Sequence, residues 1–151
     1  MLIVLSDSIL SIGIFLNCST TFYMFTSCNY FIKYTKSLEE FITVGGYNCI
    51  SVTGQGFVCF LVLLPKGYLN ITLHNILHIL HLGISLISLS ALYCQKVFVK
   101  SLDNNLVLLK NGKKLFRTSL TGSTGTLYHI QCISLASNTA YLTKIPDSIC
   151  L

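Results

Sequence analysis

Phe15-Leu16-Asn17-Cys18-Ser19-Thr20-Thr21-Phe22-Tyr23-Met24 is the stretch that decides how the rest of this chain reads. Ahead of it lies an apolar piece, residues 2–16, interrupted by Ser6-Asp7-Ser8. Behind it come short apolar runs broken by Gly, Asn and Pro, a texture that favours strands and hairpins over long helices. Phe41-Ile42-Thr43-Val44 and Ile50-Ser51-Val52-Thr53 flank Gly45-Gly46-Tyr47-Asn48-Cys49, which predicts a hairpin with a glycine-led tip.

Farther along, Gly54-Gln55-Gly56 reads as a break before the apolar run 57–64. Pro65-Lys66-Gly67 is a turn signature, so a second hairpin is expected between 57–64 and 68–73, with another strand at 76–79. Within 85–92, Leu86, Ile87, Leu89 and Leu92 fall close enough in angle to form the buried face of one short helix. Three more apolar runs, at 97–99, 106–109 and 115–118, are separated by Asp103-Asn104-Asn105 and Asn111-Gly112, and Asn-Gly between apolar runs is a strong hairpin signal. The expected fold is therefore all-β, a small barrel or sandwich with one short helix. From Thr121 the pattern weakens, and a boundary is expected near Leu120.

At 151 residues the chain has room for one domain of ordinary size. It is 52% hydrophobic and 10% charged, with mean hydropathy +0.69, so a membrane anchor has to be weighed. Residues 2–16 lack the basic start and small-residue cleavage site of a signal peptide. Residues 76–92 lack Lys, Arg, Asp and Glu but carry His78, His81, Ser85, Ser88 and Ser90, and a spanning helix wants about 20 predominantly apolar residues. A membrane segment is not expected, and the location expected is cytoplasmic.

Seven cysteines without a C-x-x-C favour scattered reduced thiols. His74, His78 and His81 would share a face only on a helix; on a strand His74 and His78 share one face and His81 takes the other, so no metal site is expected. No cofactor is expected either, because Gly54-Gln55-Gly56 lacks the endings of a phosphate-binding loop. The basic piece Lys110-Asn111-Gly112-Lys113-Lys114 reads as a solvated hairpin tip, with no specific nucleic acid as partner. Five acids are too few for a carboxylate pair within one chain, unless a symmetric dimer supplies the second copy.

A family pattern runs from Leu16 to about Cys132. Leu16, Cys18, Thr21, Met24 and Phe31 fit a strand that leads into Asp-[Ser/Cys]-Gly-Ala-[Thr/Ser] and then His-Met and Phe. Further matches are Val44-Gly45-Gly46, Gly54-Gln55-Gly56, Leu73-His74-Asn75-Ile76-Leu77-His78-Ile79, Leu86-Ile87-Ser88-Leu89 and Thr124-Gly125-Thr126-Leu127-Tyr128. On these residues the chain resembles the protease domain in the Pol polyprotein of copia-type LTR retrotransposons, a retropepsin-like β-barrel followed by the start of the GAG-pre-integrase segment.

The resemblance implies a barrel over residues 15–120 with a flap-like hairpin at Gly45, Gly46 and Tyr47. It leaves 1–14 as an unplaced apolar start and 121–151 as an incomplete pre-integrase segment. It also implies a homodimer in which each copy brings one Asp, a carboxylate pair that cleaves Gag-Pol peptides. This chain departs at the decisive points. Asn17 stands at the Asp position, Cys18 follows it, Ser19 replaces Gly, Tyr23 replaces His, and Leu80 replaces a Pro. A carboxamide holds water but cannot take its proton, so the resemblance implies a catalytically silent copy. The rival reading, from another class, is a small membrane-anchored or secreted non-enzymatic protein using 2–16 or 76–92 as its apolar segment.

Overall fold

The computed structural model of this chain describes residues 11–44, 48–121, 127–134 and 149–151. Along them run β1 (Ser11–Asn17), β2 (Met24–Phe25), a 3-10 turn (Cys28–Tyr30), β3 (Phe31–Val44), β4 (Asn48–Leu64) and β5 (Gly67–His78). Next come β6 (Ser85–Ser88), α1 (Leu89–Cys94), β7 (Val97–Leu102), β8 (Asn105–Lys110), β9 (Lys113–Arg117), β10 (Ser119–Thr121), β11 (Leu127–Ser134) and β12 (Ile149–Cys150). The domain is all-β, with one short helix among the described residues.

Two sheets result. The larger follows the order β10-β11-β1-β6-β2-β5-β4-β3, with β12 laid parallel on β5. One further pairing, Cys132↔Val62 to Ser134↔Phe60, joins β11 back to β4. The ring β4-β5-β2-β6-β1-β11 is thereby closed, and a closed ring has no free edge. β4 makes this closure because it is long: its first half pairs with β3, while its second half pairs with β11 on that same side and with β5 on the other. The smaller sheet is the meander β7-β8-β9.

Inside the ring, alternate residues of the long strands meet. Val58, Phe60 and Val62 of β4 pack with Ile71 and Leu73 of β5, Ile14 and Leu16 of β1, and Ile130 of β11. Phe25 and Phe60 have no exposed surface, so truncating either would open a cavity in this centre. A second cluster of Met24, Val52, Leu77, Ile79 and Leu86 fills the far part of β4 and β5.

The hairpin expectations at Pro65-Lys66 and Asn111-Gly112 hold. Asn111 and Gly112 both take positive φ (53° and 73°), as do Asp103 and Asn104 (49° and 64°). Two positive-φ central residues match the twist of the flanking strands in a two-residue hairpin. The hairpin β3–β4 also forms, while its tip at Gly45, Gly46 and Tyr47 lies outside the described residues.

Four expectations are corrected. Gly54-Gln55-Gly56 does not interrupt the chain; β4 runs straight through it. The two glycines are there for close passage, since a Cβ on Gly56 would strike the Lys33 carbonyl and one on Gly54 the Tyr34 ring. The strands expected at 68–73 and 76–79 are one strand, β5, carrying a bulge between Gly56↔Ile76 and Val58↔Leu73. The extra residue reverses the alternation at His74 and Asn75, so His74 is exposed while His78 is buried, and they do not share a face. The expected helix 85–92 divides at Ser88: residues 85–88 form β6, and the helix is Leu89–Cys94.

That division also breaks up the candidate apolar segment at 76–92, while residues 2–10 of the other candidate, 2–16, lie outside the described residues. Residues 76–92 are distributed over β5, β6 and α1, and no helix among the described residues is long and apolar enough to cross a membrane.

Candidate functional site

β1 turns Ile14 and Leu16 into the core and releases Asn17 at its end, directly beside Ser88 of β6 in parallel register. There the chain makes a tight polar turn. The Asn17 Oδ1 accepts the Ser19 backbone N–H at 2.6 Å, an Asx-type turn in which the side chain stands in for a backbone carbonyl. Cys18 and Ser19 are both exposed at its apex. Thr20 closes the turn, its Oγ1 accepting the Phe22 N–H at 3.3 Å and donating to the Phe22 carbonyl at 3.1 Å.

A serine pair holds this turn from below. The Ser88 hydroxyl donates to the Thr20 carbonyl at 2.6 Å, and the Ser90 hydroxyl lies 3.2 Å from the same oxygen. Ser88 simultaneously accepts the Ala91 N–H at 3.1 Å as the N-cap of α1. One buried hydroxyl thus ends β6, starts α1 and fixes the turn that follows β1.

Past the turn, a cleft of about 310 Å³ opens between Thr21-Phe22-Tyr23, the bulge residues His74 and Asn75, α1 at Cys94 and Gln95, and Leu151. Tyr23 is 4% exposed and its hydroxyl has no hydrogen-bond partner among the described residues. Burial raises its pKa well above the ordinary phenol value, and the Cys94 thiol adds to the effect, so the group stays neutral. On the other side of the bulge lies a second cleft of about 260 Å³, lined by Lys33, Gln55, Phe57 and again His74 and Asn75. Asn75 holds φ at 56°, a left-handed conformation Asn tolerates better than most residues.

Of the residues singled out from the sequence, Asn17, Cys18 and Ser19 do come together in one exposed turn, whereas Gly45, Gly46 and Tyr47 cannot be placed against it. His74 stacks obliquely on Phe57 at 5.6 Å, His81 is exposed in the turn after β5, and the His78 Nδ1 lies 2.8 Å from the Tyr34 hydroxyl. Among the described residues no three His, Cys, Asp or Glu side chains come together as a metal site. Cys18, Cys28, Cys49, Cys94 and Cys150 are exposed, and Cys59 and Cys132 buried, with burial pushing the Cys132 thiol up to about 12. Glu40 is exposed on β3 and Asp103 sits in the β7–β8 turn, so neither carboxylate belongs to the Asn17 turn.

The serine brace escaped the sequence reading. Ser88-Leu89-Ser90 carries its signal, a Ser standing before an apolar run as an N-cap does, but the helical spacing of Leu86, Ile87, Leu89 and Leu92 runs across it and hides the start.

No curated relative and no solved structure matches the chain. A family model does, that of the Pol polyprotein, beta-barrel domain, over residues 14–98, from the second half of β1 through α1 to the start of β7. This match takes in the Asn17 turn, its serine brace and five of the six strands of the closed ring. It spans more than half of the sequence, and the chain belongs to the Pol polyprotein β-barrel domain family.

Proposed function

We propose that this chain is the retropepsin-like barrel of a copia-type LTR retrotransposon Pol polyprotein, in a copy that has lost peptide-bond hydrolysis. The observation that carries the reading is Asn17, at the end of β1 in an exposed turn, with its carboxamide oxygen held by the Ser19 N–H. The family pattern puts an Asp there. In a homodimer of retropepsin type, two such groups face one another and share a proton, which activates water for attack on the amide. Two carboxamides offer acceptors and donors at fixed positions but no proton exchange near neutral pH, so the paired turns would hold a water without activating it.

The other departures support decay. Ser19 adds a Cβ where the family has Gly, and Cys18 supplies only a weak donor to brace a facing turn. Asp to Asn, Gly to Ser, His to Tyr and Pro to Leu each need one C-to-T or G-to-A transition, which fits cytosine deamination of an element copy. Coding DNA without a transition excess over an intact copy would remove that explanation. Of residues 121–151, expected from the resemblance to start a GAG-pre-integrase segment, β11 closes the ring with β1 and β4, so in this reading that segment follows Ser134.

The test is cleavage of a Gag-Pol-type peptide. The chain as written is expected to give none, and Asn17→Asp with Ser19→Gly is expected to give pepstatin-sensitive cleavage in the fraction that dimerises. Pepstatin-sensitive turnover by the unaltered chain would overturn the proposal.

A further inference from the structure

The meander β7-β8-β9 has one face on the barrel core and another that is exposed at Phe98, Lys100, Lys114 and Arg117. Val97, Leu108 and Phe116 enter the core, with Val99 and Leu106 packed against it. The cross-strand partners Phe98↔Leu109↔Lys114 and Lys100↔Val107↔Arg117 therefore share the opposite face, because paired residues in an antiparallel sheet point the same way; on it Val107 is buried, while Phe98, Lys100, Lys114 and Arg117 are exposed. On this outer face Phe98 is 43% exposed, and Tyr93 of α1, 64% exposed, meets its ring edge-on at 5.0 Å.

Two large aromatic rings left in water beside each other are an unusual use of apolar surface. Lys100, Lys114 and Arg117 belong to the same face by register, all exposed, and none is paired with a carboxylate among the described residues. Residues 96–117 hold six of the chain's ten Lys and Arg residues and one of its five acids, Asp103. The chain's net charge of +5 is matched by this stretch alone.

We propose that the outer face of β7-β8-β9 binds single-stranded nucleic acid, with bases stacked on Phe98 and Tyr93 and phosphates held by Lys100, Lys114 and Arg117. The ring faces select the single strand: bases in a duplex are stacked on each other and offer no face, while an unstacked base of any identity can lie on an aromatic ring. The cations select a polyanion, and they stand within reach of the rings, Lys100 lying two residues from Phe98, about 7 Å along the strand. A flat sheet face presents no helix or ribbon to enter a groove, so contact is with backbone and base faces, not base edges. Neither Asn17 nor any other residue of its turn takes part, so this inference stands apart from the protease reading.

The experiment is fluorescence anisotropy of labelled 20-nucleotide oligo(U) and oligo(dT) with the full chain at 50 mM and 200 mM salt. Binding in the micromolar range is expected, with log affinity falling against log salt at a slope near −2, as about three neutralised phosphates imply. Replacing Phe98 and Tyr93 together by Leu, which keeps the apolar area but removes the rings, should weaken binding about tenfold and leave the salt slope unchanged. Lys100→Gln with Arg117→Gln should flatten the slope, and Lys33→Gln with Lys36→Gln on β3 should change nothing. Circular dichroism melts of each variant keep loss of binding separate from loss of fold. Three outcomes overturn the proposal: no binding at 50 mM salt, equal affinity for duplex and heparin that ignores the Leu variants, or a preference for anionic lipid vesicles over oligonucleotides.

Discussion

The Tyr34 hydroxyl and the His78 Nδ1 stand 2.8 Å apart, tying β3 to the last residue of β5 across the intervening strand β4. The imidazole is 3% exposed, and its Nε2 has no partner among the described residues. Burial therefore lowers the His78 pKa below its ordinary value, and burial does the same to His129 beside Phe15. The folded state binds fewer protons than the unfolded one below about pH 6.5. Stability should be complete above that pH and fall as the pH drops from 6.5 towards 5. Urea midpoints at pH 7.5, 6.0 and 5.0 check this, and His78→Gln should flatten the dependence. A protein that gains stability on acidification would contradict the burial argument.

Ser88→Ala removes the donor to the Thr20 carbonyl and the cap of α1 in one step. We expect a loss of about 1–3 kcal/mol, the range for a buried hydroxyl whose partners are left unmet. Ser90→Ala should cost well under that, since its hydroxyl is exposed and Ser88 still serves the carbonyl. Chemical denaturation of the two variants distinguishes a brace centred on Ser88 from one shared equally.

Gly56→Ala places a methyl against the Lys33 carbonyl, and backbone cannot step aside as a side-chain end can. It should destabilise by at least the 1–3 kcal/mol typical of overpacking. Gly54→Ala meets only the Tyr34 ring and should be milder. Equal melting temperatures for the two variants would show that the strands separate easily at this point.

Brief labelling of the native chain with a maleimide should modify Cys18, Cys28, Cys49, Cys94 and Cys150, and spare Cys59 and Cys132. Cys132 is protected twice, by burial and by a thiol held near 12, which leaves almost no thiolate at neutral pH. Peptide mapping with and without urea provides the comparison; native labelling of Cys132 would mean that β11 leaves the ring readily.

What the sequence made legible follows a physical line. Asn111-Gly112 and Pro65-Lys66-Gly67 announce their turns because the conformations they need are local and few residues can adopt them. Gly54 and Gly56 are ambiguous in sequence because the absence of a side chain serves a break and a close passage equally well, and only Tyr34 and Lys33, 20 and 23 residues away, decide between them. The bulge at His74 was invisible because an inserted residue leaves no mark on either apolar run beside it. At the site, the position of Asn17-Cys18-Ser19 came from resemblance to a family, whereas the link from Ser88 to Thr20 joins residues 68 apart and had no local trace.

The β11 pairings impose an order of events on folding. Ser11↔Ile133 and Cys132↔Val62 join segments that are far apart along the chain, the first pair by more than a hundred residues. Such contacts add a large loop-closure entropy before returning any stability, so they form late and raise the contact order of the whole domain. Until they form, one side of β1 and the second half of β4 are open strand edges, ready to pair with another chain. A chain emerging from the ribosome carries those edges until residues near 134 arrive, and the interval before the ring shuts is when this domain is most exposed to misassembly.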